Sequence, residues 1–297
     1  MNSTPQKILV ATDFSTTADS AEKLAFQLAR LLGAELHLVH VRVILEDPLM
    51  AQEQQLEIER LMSSAQEATK EAFVQGRSGD RDISVKTHLI RSISAAEAIV
   101  ETASDLTCDL IVMGTHGRRG IKHMLLGSVA ENVVRSVDIP VLTVRPGIEL
   151  PAHGPKKILV AHDFSDRAVA AVKTAGDWAD AFNAEITLLH VVEPVVYPEF
   201  YAINVLSDDV MTRLRDRAIE ALDNAASEIL GNRPVNTMVL IGRAAGTVIA
   251  AAQPEDFDLV VMGTRGLTGL EQLVLGSVAE SVLRRCPVPL LTVSSES

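Results

Sequence analysis

Residues 7–15 read KILVATDFS and residues 157–165 read KILVAHDFS. Each stretch runs from a short Val/Ile/Leu segment, the chemistry of a strand, into Asp-Phe-Ser, the chemistry of a turn. Working outward from the pair, LHLVHV at 36–41 returns as ITLLHV at 186–191, and CDLIVMGT at 108–115 returns as FDLVVMGT at 257–264. Asp13 and Asp163 stand 150 residues apart, Gly114 and Gly263 149 apart. An offset this constant marks a duplicated domain, since a solenoid unit spans only about 20–45 residues. The expected domains are 1–147 and 155–297, joined by the Pro- and Gly-containing linker PGIELPAHGP at 146–155.

Within the first copy, KILVAT, AELHLVHV, DISVKTHLI, CDLIVMGT and PVLTV read as strands, and the segments around 16–32, 50–77, 93–104 and 126–136 read as helices. The strands are near-continuous apolar runs, as expected when both faces are covered. Strand and helix in alternation then predict an α/β fold: two tandem open doubly wound domains, each a five-stranded parallel sheet flanked by helices in a Rossmann-like arrangement. In such sheets ligands bind outside the carboxyl ends of the strands, where strand order reverses. Functional residues are therefore expected just after each strand.

Composition narrows the function classes. A formal charge of −12 and 3% aromatic residues count against nucleic acid, which is held by Lys and Arg and read by stacking. No apolar run reaches the roughly 18 residues of a membrane span, and MNSTPQKILV lacks the apolar stretch of a secretory signal. Cys108 and Cys286 occupy non-equivalent places in the two copies, so neither a disulfide framework nor a zinc pattern is suggested. Together these features predict a cytoplasmic protein.

Asp13 follows the first strand, where an N-cap or a ligand contact are both open readings; Ser15 reads as a helix cap. After the fourth strand, GTHGRRGIKHMLLGSVAE at 114–131 returns as GTRGLTGLEQLVLGSVAE at 263–280. Gly114, Gly117, Gly127 and Ser128 recur as Gly263, Gly266, Gly276 and Ser277 while the residues before GSVAE drift. Retained glycines suggest a backbone requirement, and a helix starting at the Gly-Ser pair would aim free amides and its positive dipole end at the glycine loop. The arrangement predicts a cradle for an anion such as phosphate. A glycine turn with a Ser-capped helix is the alternative.

With KILVATDFS and KILVAHDFS, the His-Val pairs at 40–41 and 190–191, and G-x2-G-x9-G-[ST] at 114–128 and 263–277, the chain resembles the universal stress protein family, in its tandem two-domain form. The resemblance covers residues 5–294. It implies an ATP-binding member. Carried onto this sequence, Asp13 and Val41 would hold the adenosine end with Met113 lining the pocket, and Gly114, Gly117, Gly127 and Ser128 would hold ribose and phosphates. The second set would be Asp163, Val191, Met262, Gly263, Gly266, Gly276 and Ser277. The resemblance further implies a divalent ion, commonly magnesium, across the phosphates, and no carboxylate in the sequence announces itself as its ligand. The resemblance also implies domains paired through their last strands, here PVLTV with VPLLTV as an intrachain pseudo-dimer, with a homodimer as a further level of assembly.

The chain has no G-x4-G-K-[ST] loop, no kinase motif set and no G-x-S-x-G elbow, so a conventional ATPase, kinase or hydrolase reading fails. Slow hydrolysis or autophosphorylation rests on the resemblance alone. The expected function is a nucleotide-dependent regulator or sensor in a stress response. The rival is an interaction or scaffold protein with degenerate pockets. Thr12 becomes His162 beside the Asp, and the His116-Gly-Arg118-Arg119 run becomes Arg265-Gly-Leu267-Thr268, so the two sites are expected to differ. His40 and His190 read as packed strand-end histidines, and His116, His123, His153 and His162 lack metal-ligand spacing. EPVVYPEFYAINVL at 193–206 reads as a loop that could cover the second site.

Overall fold

A computed structural model describes residues 4–15, 17–43, 83–115, 127–193, 208–264 and 275–294. The expected helix at 50–77, the loop after Glu193 and the glycine-loop residues Gly117, Arg118, Arg119 and Gly266 lie outside the described residues. The first half contains β1 (Lys7–Ala11), α1 (Asp19–Leu32), β2 (Glu35–Val43), β3 (Val85–Ser92), α2 (Ala95–Asp105), β4 (Leu110–Gly114), α3 (Ser128–Ser136) and β5 (Val141–Val144). The second contains β6 (Lys157–Ala161), α4 (Asp166–Phe182), β7 (Glu185–Val192), α5 (Asp208–Leu230), β8 (Val235–Ile241), α6 (Ala244–Ala251), β9 (Leu259–Gly263), α7 (Ser277–Arg285) and β10 (Leu290–Val293).

Strand alternation sorts the core into two layers. Ile8, Val10, Leu110 and Val112 face α1, whereas Leu9, Ile111 and Met113 face α2 and α3. The second half repeats this, with Ile158 and Val160 toward α4 and α5, and Leu159, Val260 and Met262 toward α6 and α7. Helices thus cover both faces, as the doubly wound reading requires. Trp178, at 1% exposure, is an ordinary core residue of α4.

The expected pair of five-stranded sheets becomes one sheet of ten, in the order β3-β2-β1-β4-β5-β10-β9-β6-β7-β8. All neighbours are parallel except β5 and β10, which run antiparallel with Leu142 opposite Leu291. Each half keeps its own parallel order, and the last strands of the two halves close the edge that either alone would leave open. The seam is self-complementary: the Thr143 hydroxyl donates to the Leu290 carbonyl at 3.2 Å and the Thr292 hydroxyl to the Val141 carbonyl at 3.2 Å. Such reciprocity is what a two-fold relation between equivalent surfaces produces. Beside the seam, Arg284 of α7 reaches Glu280 at 2.5 Å and Glu131 of α3 at 3.7 Å.

The linker is packed. Leu150 is buried, the Gly147 amide donates to Ser20 Oγ at 2.8 Å, and Gly154 adopts φ +85 against the Phe182 ring, which a Cβ would meet at 2.3 Å. Pro and Gly here mark a docked segment with special backbone geometry. Burial pushes the Cys108 and Cys286 thiols up to about 11, as expected of inert core cysteines.

Candidate functional site

In each half the sheet reverses its strand order between the first strand and the fourth. Ala11 pairs with Val39 on β2 and Met113 on β4, so Asp13, Val41 and Gly114 gather at one end of three adjacent strands. In the second half Ala161 pairs with Leu189 and Met262, which gathers Asp163, Val191 and Gly263 in the same way. Met113 and Met262 are 4% and 5% exposed and point to the face carrying α3 and α7.

The Gly-Ser pairs begin those helices. Gly127 and Gly276 are the N-caps, with no side-chain cap bond, and Ser128 and Ser277 are the first helical residues, both exposed. The serines therefore do not cap. Both lie in a first turn whose amides have no carbonyl four residues back to bond. The Gly127 amide is not one of the free donors, because it donates to the Thr115 carbonyl at 2.8 Å; Gly276 does the same to Thr264 at 2.9 Å. These bonds hold each helix N-terminus against the end of the fourth strand. Nor do Gly127 and Gly276 need glycine for their backbone, with φ −64 and −63. Gly263 does need to be small: a Cβ there would lie 2.9 Å from Arg167 Cβ and 3.1 Å from its carbonyl carbon.

Asp13 and Asp163 cap no helix. Asp13 Oδ1 accepts from the Ser15 amide at 3.0 Å and hydroxyl at 2.5 Å, and Asp163 Oδ1 accepts from the Ser165 amide at 3.1 Å and hydroxyl at 2.6 Å. The expected cap at Ser15 does not form, although its counterpart Ser165 does cap a helix. Ser165 is the N-cap of α4 and accepts from the Ala168 amide at 3.2 Å, whereas α1 starts at Asp19 after Ala18, and Ser15 shares its hydroxyl with Thr17 at 2.6 Å. Arg167 stands where Thr17 would recur and offers no such competing hydroxyl.

The residue after each Asp is unusual. Phe14 and Phe164 sit at φ 56 and 64, a left-handed conformation that costs a bulky residue about 1–2 kcal/mol. The turn is held from behind, on the face opposite Met113. The Phe14 amide donates to Thr12 Oγ1 at 2.9 Å, the His40 Nδ1–H donates to the Thr12 carbonyl at 2.7 Å, and the Phe14 ring lies 5.0 Å from the His40 ring. The second half matches with different chemistry: the Phe164 amide donates to His162 Nδ1 at 3.2 Å, His190 Nδ1–H donates to the His162 carbonyl at 2.8 Å, and the Phe164 ring contacts both imidazoles.

The Thr12 hydroxyl in turn donates a hydrogen bond to Glu22 Oε1 of α1. Glu22 is 6% exposed, and burial raises its pKa above the usual carboxylate range. The corresponding position of α4 is Val172. His162, 4% exposed, is held neutral by burial, its pKa pushed down to about 4. With Nδ1 accepting from Phe164, its proton resides on Nε2. Sequence reasoning set His40 and His190 aside as packing. The recurrence of His-Val beside a recurring Asp-Phe-Ser was the available signal.

The described residues contain no group of three or more His, Cys, Asp or Glu able to hold a metal ion, and no helix long and apolar enough to cross a membrane. The model of the Universal stress protein family matches residues 4–145 and again 154–294. A universal stress protein of Mycobacterium tuberculosis is 28% identical over 300 residues, covering 96% of this chain and 95% of its own. One from Thermus aquaticus is 36% identical over 138 residues, 46% of this chain and 98% of its own length. Among solved structures, a universal stress protein from Archaeoglobus fulgidus aligns over 98% of this chain and 97% of its own with a TM-score of 0.66 at 20% identity, a likeness of fold.

Proposed function

Because the chain belongs to the universal stress protein family, twice over along its length, we propose that each half binds an adenine nucleotide, ATP above all, and that occupancy regulates the protein in a cytoplasmic stress response. The two binding units are residues 1–147 and 155–297. The observation that carries the reading is convergence: in each half an aspartate, a valine of the second strand and a helix N-terminus meet at the sheet's switch point.

The residues fit the ligand. Asp13 and Asp163 suit ribose hydroxyls, and the backbones of Val41 and Val191 suit the adenine edge. Met113 and Met262 line the apolar floor. The first-turn amides and hydroxyls of Ser128 and Ser277 suit phosphate oxygens, with Gly114 and Gly263 at the base and Gly117 and Gly266 in the loop. Magnesium, which the family resemblance implies, would ride on the phosphates. The role proposed is a binding one: nucleotide stabilises the conformation or assembly that holds it better.

Gly127 tests this cleanly, because its φ of −64 accepts any side chain without strain. Replacing it with leucine fills the first phosphate cradle. Calorimetric titration with ATP and magnesium is expected to fall from about two sites per chain to about one, with the melting temperature without nucleotide unchanged. Unchanged stoichiometry overturns the phosphate assignment.

A further inference from the structure

We infer that His40 and His190, together with Phe14 and Phe164, are positioning residues of the two nucleotide sites, holding the turns that present Asp13 and Asp163. The inference rests on the nucleotide reading above and names what aims its ribose-binding carboxylates.

Three observations carry it. First, both phenylalanines hold the same left-handed backbone, at φ 56 and 64, directly after the two aspartates. A conformation this unfavourable persists in a large residue only where its surroundings determine it. Second, the surroundings do the same thing twice with different atoms. The acceptor for the phenylalanine amide is a threonine hydroxyl in one half and an imidazole nitrogen in the other. The histidine Nδ1–H bond to the carbonyl of residue 12 or 162 is common to both, at 2.7 and 2.8 Å. Side chains beneath the turn have diverged while the turn has not. Third, Phe14 packs with the α1 layer, whereas Val41 and Met113 belong to the opposite layer. The histidine therefore acts through the turn and not by touching the ligand.

The bond fixes the chemistry of the test. A carbonyl only accepts, so Nδ1 must carry a proton. Asparagine places an amide nitrogen where Nδ1 lies, leucine places none, and glutamine places its amide nearer the Nε2 position. His190 is the better target, since the first site in the same molecule then serves as reference. In the full chain, His190→Leu is expected to weaken ATP at one of the two sites about tenfold, the scale of one lost hydrogen bond. His190→Asn is expected to recover to within about threefold of the parent. Inorganic tripolyphosphate, which never meets Asp163, is expected to bind all variants equally.

Leucine and asparagine variants that both match the parent overturn the inference, as does equal weakening toward ATP and tripolyphosphate, which signals general damage. Where the leucine variant fails to fold, asparagine against glutamine carries the same comparison: equal ATP affinity overturns it, and weakening by glutamine alone supports it. A parent chain that binds no ATP at either site fails at the nucleotide reading and is thereby distinguished.

Discussion

Beneath the first aspartate, the Thr12 hydroxyl donates a hydrogen bond to buried Glu22; beneath the second, neutral His162 occupies the threonine's place and Val172 the glutamate's. The two layers differ in polarity and in every side-chain atom of the pair. Yet both accept the amide of a left-handed phenylalanine, and both let a strand-end histidine grip the same carbonyl. Duplication here has preserved hydrogen-bonding roles and left residue identity free to change in concert. The buried acid of the first half has a hydroxyl facing it, and the second half has an aliphatic residue at the acid's position.

The most damaging way to break the comparison is Thr12→Val, which strands both the Glu22 carboxyl and the Phe14 amide. A loss of about 4 kcal/mol of unfolding free energy is expected in urea denaturation. Thr12→His combined with Glu22→Val imports the second half's solution and is expected to restore most of it. Simple addition of the two single effects would show that the pair is not a unit.

Acid sharpens the contrast. His162 is neutral in the fold and titrates at about 4, whereas in the unfolded chain it takes a proton near 6.5. Its contribution is therefore complete above about pH 6.5 and is lost as pH falls toward 4, roughly 3 kcal/mol in all. Glu22 runs the other way: its raised pKa makes its contribution largest below the ordinary carboxylate value and lost as pH rises through the folded one. Between pH 4 and 7 the stability of the parent relative to His162→Thr is expected to rise with pH, because the Glu22 contribution is common to both proteins and cancels in the difference. Parallel profiles would contradict the buried neutral histidine.

Smaller effects follow. Gly263→Ala presses a methyl onto Arg167 and is expected to cost about 2 kcal/mol in the second half, read as a lowered urea midpoint. Arg284→Gln removes a two-glutamate contact whose arginine and acids are each about a third exposed, and is expected to change stability by less than about 1 kcal/mol. A larger loss would mean that the pair of helices beside the seam depends on that ion pair.

The repeat, the alternation of strand and helix, and the helical layers were legible because each rests on periodicity: Ile8 and Val10 against Leu9 is already a two-faced strand in the sequence. The merging of two sheets into one was carried by the resemblance alone, since nothing in the pattern of PVLTV says what its free edge meets. At the site, the clustering of Asp13, Val41 and Gly114 follows from strand ends and was readable. The roles of Gly127 and Ser128 were not. Whether a glycine is there for φ, for closeness or by inheritance, and whether a serine caps or merely begins a helix, depends on dihedral angles that composition does not fix. The turn at Phe14 escaped notice for the same reason: a phenylalanine in a DFS triplet carries no outward mark of a positive φ.

The central claim is that two sites of equivalent role persist on unlike foundations, and counting bound ligand tests it most directly. Equilibrium dialysis of the full chain against labelled ATP with magnesium is predicted to saturate at about two nucleotides per chain. Saturation indistinguishable from zero would contradict the account and leave the chain as an interaction protein with vestigial pockets.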